Sequence, residues 1–538
     1  MENQLTSRQS VTNSSEASYE HRTHSEIMVI ITALMLAMLL AALDQTIVAT
    51  ALPRIASDLN GLNKLSWVAT AYLLTSAIST PLYGKIGDLY GRKKIFQISI
   101  IIFLAGSALC GLSQNMNELV FFRALQGIGA GGLISLVLAI IGDVVPPRQR
   151  GRYQGYFGAV FGLASIAGPL LGGFLADAHS ILGVSGWRWI FYINLPIGVI
   201  ALLVIAARLH LPKRIYEHQI DYLGAGLLSL SATALILVSV WAEVTYSWGS
   251  WEIISLLVGS AVCAVLFVLN ELRAKEPIIP LHLFRGGIFT VSVILSLLSG
   301  VALFAAILYI PEYQQIIRGY TPMKSGLLLF PVVIGMFVAS IVTGRLITKF
   351  GRYRIYPILG SVLTIIGLWL WSGLGLHTSE LTLSVWMIIL GLGIGMFFQV
   401  PILAVQNSVP FKQMGAGTGT VTFARSIGSS FGGAIFGTIL ITRLNTHLHL
   451  LLPQFKGKIN ASAISSGTGS LSTSLPAPVL HKILQAFDMA FHDMFIYALP
   501  IAVITLIFSV MLKEVPLRDS AKAHATTDLL ELDTAEQS

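Results

Sequence analysis

Apolar residues in this chain come in long blocks separated by short polar stretches. Blocks of about 20 residues are the length that crosses a bilayer as a helix, whereas a transmembrane barrel would show alternating segments of about ten. Fourteen such blocks fall at about 27–54, 65–84, 95–113, 118–144, 153–177, 189–208, 222–243, 252–271, 287–311, 325–346, 355–374, 382–406, 415–441 and 494–512. The predicted fold class is all-α, a polytopic membrane protein of 14 transmembrane helices. One block is interrupted. "LLAALDQTIVATALP", Leu39 to Pro53, carries Asp44 in its midst. A charged side chain at the bilayer centre costs roughly 2.5–3.5 kcal/mol on insertion scales, so a role is expected that offsets the cost.

Composition agrees with the pattern. The 538 residues are 54% hydrophobic and 11% charged, well below the roughly 25% charged of a soluble domain. The net charge of +8 does not point to nucleic acid, because the basic residues cluster beside the apolar blocks. "GKIGDLYGRKK", "PPRQRGR", "RLHLPKR", "LRAKEP" and "TKFGRYR" occupy alternate loops, while "SDLNGLN", "SQNMNE" and "EVTYSWGSWE" are nearly free of Lys and Arg. The positive-inside rule then puts the basic loops and both termini in the cytoplasm. Residues 1–26 read as a disordered cytoplasmic tail, with no secretory signal ahead of the first block. Residues 514–538 read as a second cytoplasmic tail. Cys110 and Cys263 lie inside apolar blocks and say nothing of compartment.

The chain repeats itself. "YGKIGDLYGRKK" ends the second block and "TGRLITKFGRYR" the tenth. Gly344 − Gly84, Gly351 − Gly91 and Arg352 − Arg92 each give 260. "GPLLGG" and "GSSFGG" in the fifth and thirteenth blocks share that offset through Gly168 and Gly428, Gly172 and Gly432, and Gly173 and Gly433. Two six-helix bundles related by a pseudo-two-fold axis are expected, at 27–214 and 287–513. Two inserted helices with a linker occupy 215–286, and an extracytoplasmic loop of 442–493 lies within the second bundle. Parallel repeats about the membrane normal suit alternating access.

The 260 offset sets Phe304 opposite Asp44 and Leu383 opposite Arg123, so the buried charges belong to the first bundle alone. Asp44 and Arg123 fall at comparable depth. They are expected to pair directly or through Gln45, Gln126 or water, either as a static ion pair or as a proton-exchanging site. A neighbouring Arg lowers a carboxylate's pKa and desolvation raises it, so separating or drying the pair would let Asp44 take up a proton. Gly84, Asp88, Gly91 and Arg92 form a candidate conformational latch. Gly158, Gly162, Ser165, Pro169 and Gly172 share a small, bendable helix face, read as a seam between bundles or as general close packing. Arg425, Gln399 and Gln406 are substrate-cavity candidates together with Gln45 and Gln126; Trp369 and Trp371 are weighed beside them. Asp488 and Asp493 read as a solvated helix start.

There is no phosphate-binding G-x-x-x-x-G-K-[ST] loop, no metal-ligand cluster and no nucleophile–base spacing. An enzyme is not expected, nor a cofactor. The loop Gly84–Phe96, "RALQGIGAGG", "GPLLGG", "LDQTIVATALPRIASDL" and "WRWIFYINLPIG", in this order and with this span count, resemble the major facilitator superfamily. More narrowly they resemble its fourteen-span drug:proton antiporter group, the EmrB/QacA-type multidrug exporters. The resemblance implies proton-driven export of lipophilic, in some members cationic, compounds from a bacterial cytoplasmic membrane. It makes Asp44 the first-span acid, Arg123 the fourth-span arginine of proton coupling, and Asp88 and Arg92 the switching loop. Gly168, Pro169, Gly172 and Gly173 become the antiporter helix motif. The expected partners are a small-molecule substrate, protons and the lipid bilayer, with a periplasmic adaptor left open and no nucleic acid. The rival functions are a proton-coupled importer, a carrier for one specific metabolite, and a membrane sensor or scaffold that transports nothing.

Overall fold

The computed structural model describes residues 24–61, 64–178, 180–211, 221–242, 245–375, 378–452 and 477–517. Fourteen long helical segments account for nearly all of them. They are α1 (His24–Asp58), α2 (Leu65–Tyr90), α3 (Arg92–Leu112), α4 (Met116–Val144), α5 (Pro147–Asp177), α6 in two pieces (Trp189–Tyr192 and Asn194–Arg208), α7 (Tyr222–Trp241) and α8 (Trp251–Glu271). The second half holds α9 (Gly287–Arg318), α10 (Pro322–Leu327 and Phe330–Phe350), α11 (Ile355–Ser372), α12 (Glu380–Phe398 and Val400–Ser408), α13 (Met414–Leu451) and α14 (Ala477–Met511). Among the described residues, 13 helices are long and apolar enough to cross a membrane. α2 falls outside that set because Ser and Thr recur along it and Lys85 and Asp88 sit near its end. The fold class is all-α and polytopic, as the block pattern predicts.

Local chemistry sets the helix ends. Asn115 caps α4 by accepting from the Glu118 N–H at 3.0 Å, and Glu118 reaches back to the Gln114 N–H at 2.8 Å, so free helix donors are satisfied reciprocally. α9 and α10 end at Gly319 and Gly351, both left-handed at φ 65° and 71°, a conformation that glycine adopts without strain.

Two helices of the sequence expectation need correction. The segment 442–493 is not all loop: α13 continues to Leu451 and α14 begins at Ala477. These extensions are too polar to read as membrane blocks, and they are cross-linked. Asp493 meets His447 at 2.9 Å and Arg443 at 3.8 Å. Asp488 and Asp493 therefore lie well inside a helix rather than at its solvated start. The remaining 453–476, like most of the expected tails, lies outside the described residues.

Packing repeats across the halves. α2 packs on α4, α3 on α4 and α1 on α5; eight helices later α10 packs on α12, α11 on α12 and α9 on α13. The bundles meet where α13 crosses α2 and α5 crosses α10. Close glycine contacts fix the register. Gly127 and Gly131 press on Tyr72 and Ser76, and Gly391 and Gly395 press on Val332 and Met336. Gly155 faces Ser340, and Gly419 faces Thr80. Thus α2 and α10 differ by 260 (332 − 72), but α4/α12 and α5/α13 differ by 264 (391 − 127; 419 − 155). Gly168 lies on Ile47 and Gly432 on Val301, so α1 and α9 differ by about 254 (301 − 47). The single offset of 260 was one helical turn out for α5/α13. The position matching Asp44 is near Leu298, not Phe304, and that matching Arg123 is Met387, not Leu383. Both are buried and apolar, so the charge asymmetry survives the correction.

α7 and α8 pack on each other, and α7 also touches α2 and α13, so the inserted pair lies against both bundles. The outer faces of α6 to α8 display Leu203, Leu230, Val258 and Val265 to the surroundings, the surface a lipid-facing helix presents. An apolar void of about 30 Å³ sits inside the second bundle between Val301, Leu368, Phe397 and Phe495. It is far below the few hundred Å³ of a drug-sized site.

Candidate functional site

Asp44 and Arg123 meet in the first bundle with essentially no solvent exposure, 0% and 1%. Arg123 Nη1 donates to Asp44 Oδ2, and also to Gln126 Oε1 at 2.9 Å. Gln126 Nε2 donates to Asp44 Oδ1 at 2.8 Å, and Asn194 Nδ2 donates to the same oxygen at 3.1 Å. Asn194 also donates to Ser107 Oγ at 3.0 Å. The guanidinium lies 4.2 Å from the centroid of the Tyr72 ring and sends Nε to the Val68 carbonyl at 3.3 Å. Five helices, α1, α2, α3, α4 and α6, thus converge on one ion pair. The direct pairing and the Gln126 bridge were legible in the sequence. Gln45 is half-buried and makes none of these bonds. Asn194 and Ser107 were missed; Asn194 sits at a helix start, where Asn reads as a cap or turn residue.

This arrangement holds a carboxylate in a dry site through three donors, one of them cationic. Such a pair is stable only while its geometry holds, because separation leaves uncompensated charge in a low-dielectric interior.

At the end carrying the basic connections, Asp88 bridges the bundles. Arg92 Nη2 and Nε donate to Asp88 Oδ1 at 2.6 and 3.1 Å, and Arg92 Nη1 also pairs with Asp143 of α4. The Asp88 carboxylate accepts the backbone N–H groups of Gly415 at 3.1 Å and Ala416 at 2.8 Å. Those groups open α13 of the second bundle, where the free donors and helix dipole attract an anion. Gly84 lets the backbones approach, for a methyl there would strike the Gly415 carbonyl. Gly91 turns the chain from α2 into α3 at φ 93°. Sequence reading missed Asp143, and it missed that the partner of Asp88 is a helix terminus.

The matching contact on the other side lacks the acid. Thr348 bonds within its own helix to Gly344 at 2.9 Å, and Arg148 donates to the Thr348 carbonyl at 3.2 Å. Gln406 is no cavity residue in this state. It is clamped in the seam by Gln154 at 2.8 Å and by bonds to Leu138 and Thr418, while Arg150 donates to its carbonyl at 3.1 Å. Arg150, read as a topology charge, is buried. The bundles are closed together at the basic end.

The small-residue face of α5 divides in two. Gly155, Gly158 and Gly162 face Ser340 and Val333 of the other bundle, whereas Gly168 and Gly172 press on Thr46, Ile47 and Thr50 of α1 in their own bundle. Pro169 lies 3.4 Å from a methyl built on Gly326, and Gly173 has open space beside it. The helix runs through Pro169 unbroken. The half at Gly168 and Gly172 is thus a seam within the first bundle, not between bundles. Arg425 reaches the break of α12 at Gln399, where its Nη2 donates to the Phe398 carbonyl at 2.7 Å. Trp371 is buried inside the second bundle against Tyr313 and Phe495, and Trp369 faces outward, so neither lines a cavity.

A profile described as Major Facilitator Superfamily matches residues 34–433. An uncharacterized MFS-type transporter of Mycobacterium tuberculosis (strain ATCC 25618 / H37Rv) is 40% identical over 491 residues, covering 91% of this chain and 70% of that protein. The multidrug transporter protein MdtP of Bacillus subtilis (strain 168) is 37% identical over 441 residues, covering 82% of this chain and 80% of that one. Among solved structures, a double-Trp mutant of XylE superposes with a TM-score of 0.59 at 16% identity, covering 94% of this chain and 99% of that one. At that identity the likeness speaks for the fold alone.

Proposed function

The chain belongs to the major facilitator superfamily, and from that premise we propose that it is a proton-coupled exporter of lipophilic small molecules, working by alternating access in a bacterial plasma membrane. The basic loops and both termini face the cytoplasm on this reading, so the bundles are closed towards the cytoplasm. The observation that carries it is the Asp44–Arg123 pair: fully buried, held by Gln126 and Asn194, and without a charged counterpart in the second bundle. A purely architectural pair gives no reason for that asymmetry. The name of the B. subtilis relative supports the substrate class.

In the cycle, Asp44 gives up its proton as cargo binds and Arg123 receives the carboxylate. Opening of the Asp88–α13 latch exposes the cavity to the cytoplasm, and closing it exposes the cavity outside, where a proton returns to Asp44. One charge moved through 100 mV is worth about 2.3 kcal/mol. At 1.4 kcal/mol per tenfold, one proton sustains a gradient of some tens-fold, enough for a concentrating pump.

Everted membrane vesicles test direction and coupling together. A panel of cationic, neutral and anionic lipophilic dyes is offered under an imposed pH gradient, acid inside. The reading expects uphill accumulation of at least one dye with wild-type protein and none with Asp44→Asn. Accumulation in right-side-out vesicles alone would make the protein an importer. No dye movement in either orientation, with an intact Asp44→Asn phenotype in cells, would favour a sensor or scaffold.

A further inference from the structure

Pro401 carries no N–H, so α12 parts at Gln399. The break faces α13, and three unusual features meet there. Arg425 is 7% exposed, and among the described residues no carboxylate pairs with it. Its Nε, and both polar atoms of the Gln399 side chain, are buried without a hydrogen-bond partner. The guanidinium stacks 3.9 Å from the centroid of the Phe398 ring, and that ring meets Phe161 of the first bundle edge-on at 6.5 Å. The break therefore lies on the seam that alternating access opens and closes.

A buried cation and amide left unsatisfied are costly, and buried polar groups are ordinarily paired. The nearby carboxylates do not answer the need. Asp44 is engaged by Arg123, Gln126 and Asn194. Glu312 lies 12 residues beyond Gly300, the residue against which the Arg425 backbone rests, about 18 Å along α9. In transporters, interrupted helices are where substrates bind.

We propose that Arg425 and the Gln399 amide form the polar end of the substrate site and recognise a carboxylate, sulfonate or carbonyl oxygen, with Phe398 and Phe161 against the apolar body. The cargo class is then lipophilic acids and acceptor-bearing neutral compounds rather than bare lipophilic cations. This deepens the export reading and rests on it for the word cargo.

The test uses two fluorescent probes that share an aromatic body and differ in charge, pyrenebutyrate and (pyren-1-ylmethyl)ammonium, with full-length protein in nanodiscs and empty nanodiscs subtracted. Wild type is expected to bind the acid at least about tenfold more tightly. Arg425→Gln abolishes the preference, Arg425→Lys keeps part of it, and Gln399→Leu weakens the acid alone. Equal affinities in wild type overturn the proposal. So does an Arg425→Gln protein that melts earlier but keeps its preference, since Arg425 would then only cap the broken helix. If Arg425→Gln does not fold, Gln399→Leu decides in the same way. A wild type that pumps the cationic dye best in everted vesicles refutes this inference and leaves the export reading standing; failure of all pumping refutes the export reading itself.

Discussion

Asp44 is bound by donors on two other helices, and two substitutions at the site make separate predictions. Asp44→Asn leaves Arg123 buried without its counter-charge, so it is expected to lose both coupling and stability. Breaking a buried pair from one side costs about 3–5 kcal/mol, visible as a lower melting temperature in detergent. Asn194→Ala removes one bond to a charged group, worth about 1.5–3 kcal/mol, and one to Ser107, whose hydroxyl still donates to the Phe191 carbonyl at 2.8 Å. Its expected signature is a smaller melting shift together with slower transport. A melting curve and transport rate like wild type would remove Asn194 from the site. At this scale the sequence was partly legible. Asp44, Arg123 and Gln126 stand out because polar residues inside apolar blocks are conspicuous. Asn194, Ser107 and Asp143 do not, because an amide at a helix start, a lone serine and an acid beside a loop each have a commonplace reading.

The element scale concerns how α2, α5 and α13 meet. Asp88→Ala deletes the anion that holds the α13 N-terminus and leaves Arg92 with Asp143 and the Ala139 carbonyl. Each lost charge-assisted bond is worth about 1.5–3 kcal/mol, so the closed-to-open ratio at the basic end should fall at least about tenfold. Spin labels at the exposed Lys94 and Lys412 should report a longer distance population absent from wild type. An unchanged distribution would reduce the latch to an anchor. The divided α5 face gives a paired prediction. Gly155→Leu obstructs the Ser340 backbone across the bundles and should prevent closure with little loss of melting temperature. Gly168→Leu collides with Thr46 inside the first bundle and should destabilise the fold. The sequence showed a stripe of small residues but could not say which helix lay against each part, because glycines spaced at three and four residues permit either neighbour. The polar extensions of α13 and α14 were invisible for a different reason: their stability comes from His447, Arg443 and Asp493 pairing across helices, not from an apolar run.

At the scale of the whole molecule, two bundles share one packing plan and differ in chemistry. The helix count and the repeat were legible because they are written in blocks of about 20 residues. The register within the repeat was not. A run such as "GTGTVTFARSIGSSFGG" resembles its counterpart almost equally well after a shift of one turn, and only the contacts of Gly155 and Gly419 with α10 and α2 choose between the two. With the register corrected, Leu298 and Met387 stand where the first bundle has Asp44 and Arg123. On the proposed reading the first bundle carries the proton chemistry, while the second offers Arg425, which no carboxylate pairs with among the described residues, at a broken helix. A carrier built as proposed has one proton site and one cargo site in different halves, joined by the seam. The measurement that tests this most directly is proton release from purified protein, in weakly buffered solution, on adding a dye found to accumulate in everted vesicles. The account predicts release approaching one proton per carrier from wild type and none from Asp44→Asn that still binds the dye. Equal release from the two proteins would contradict it.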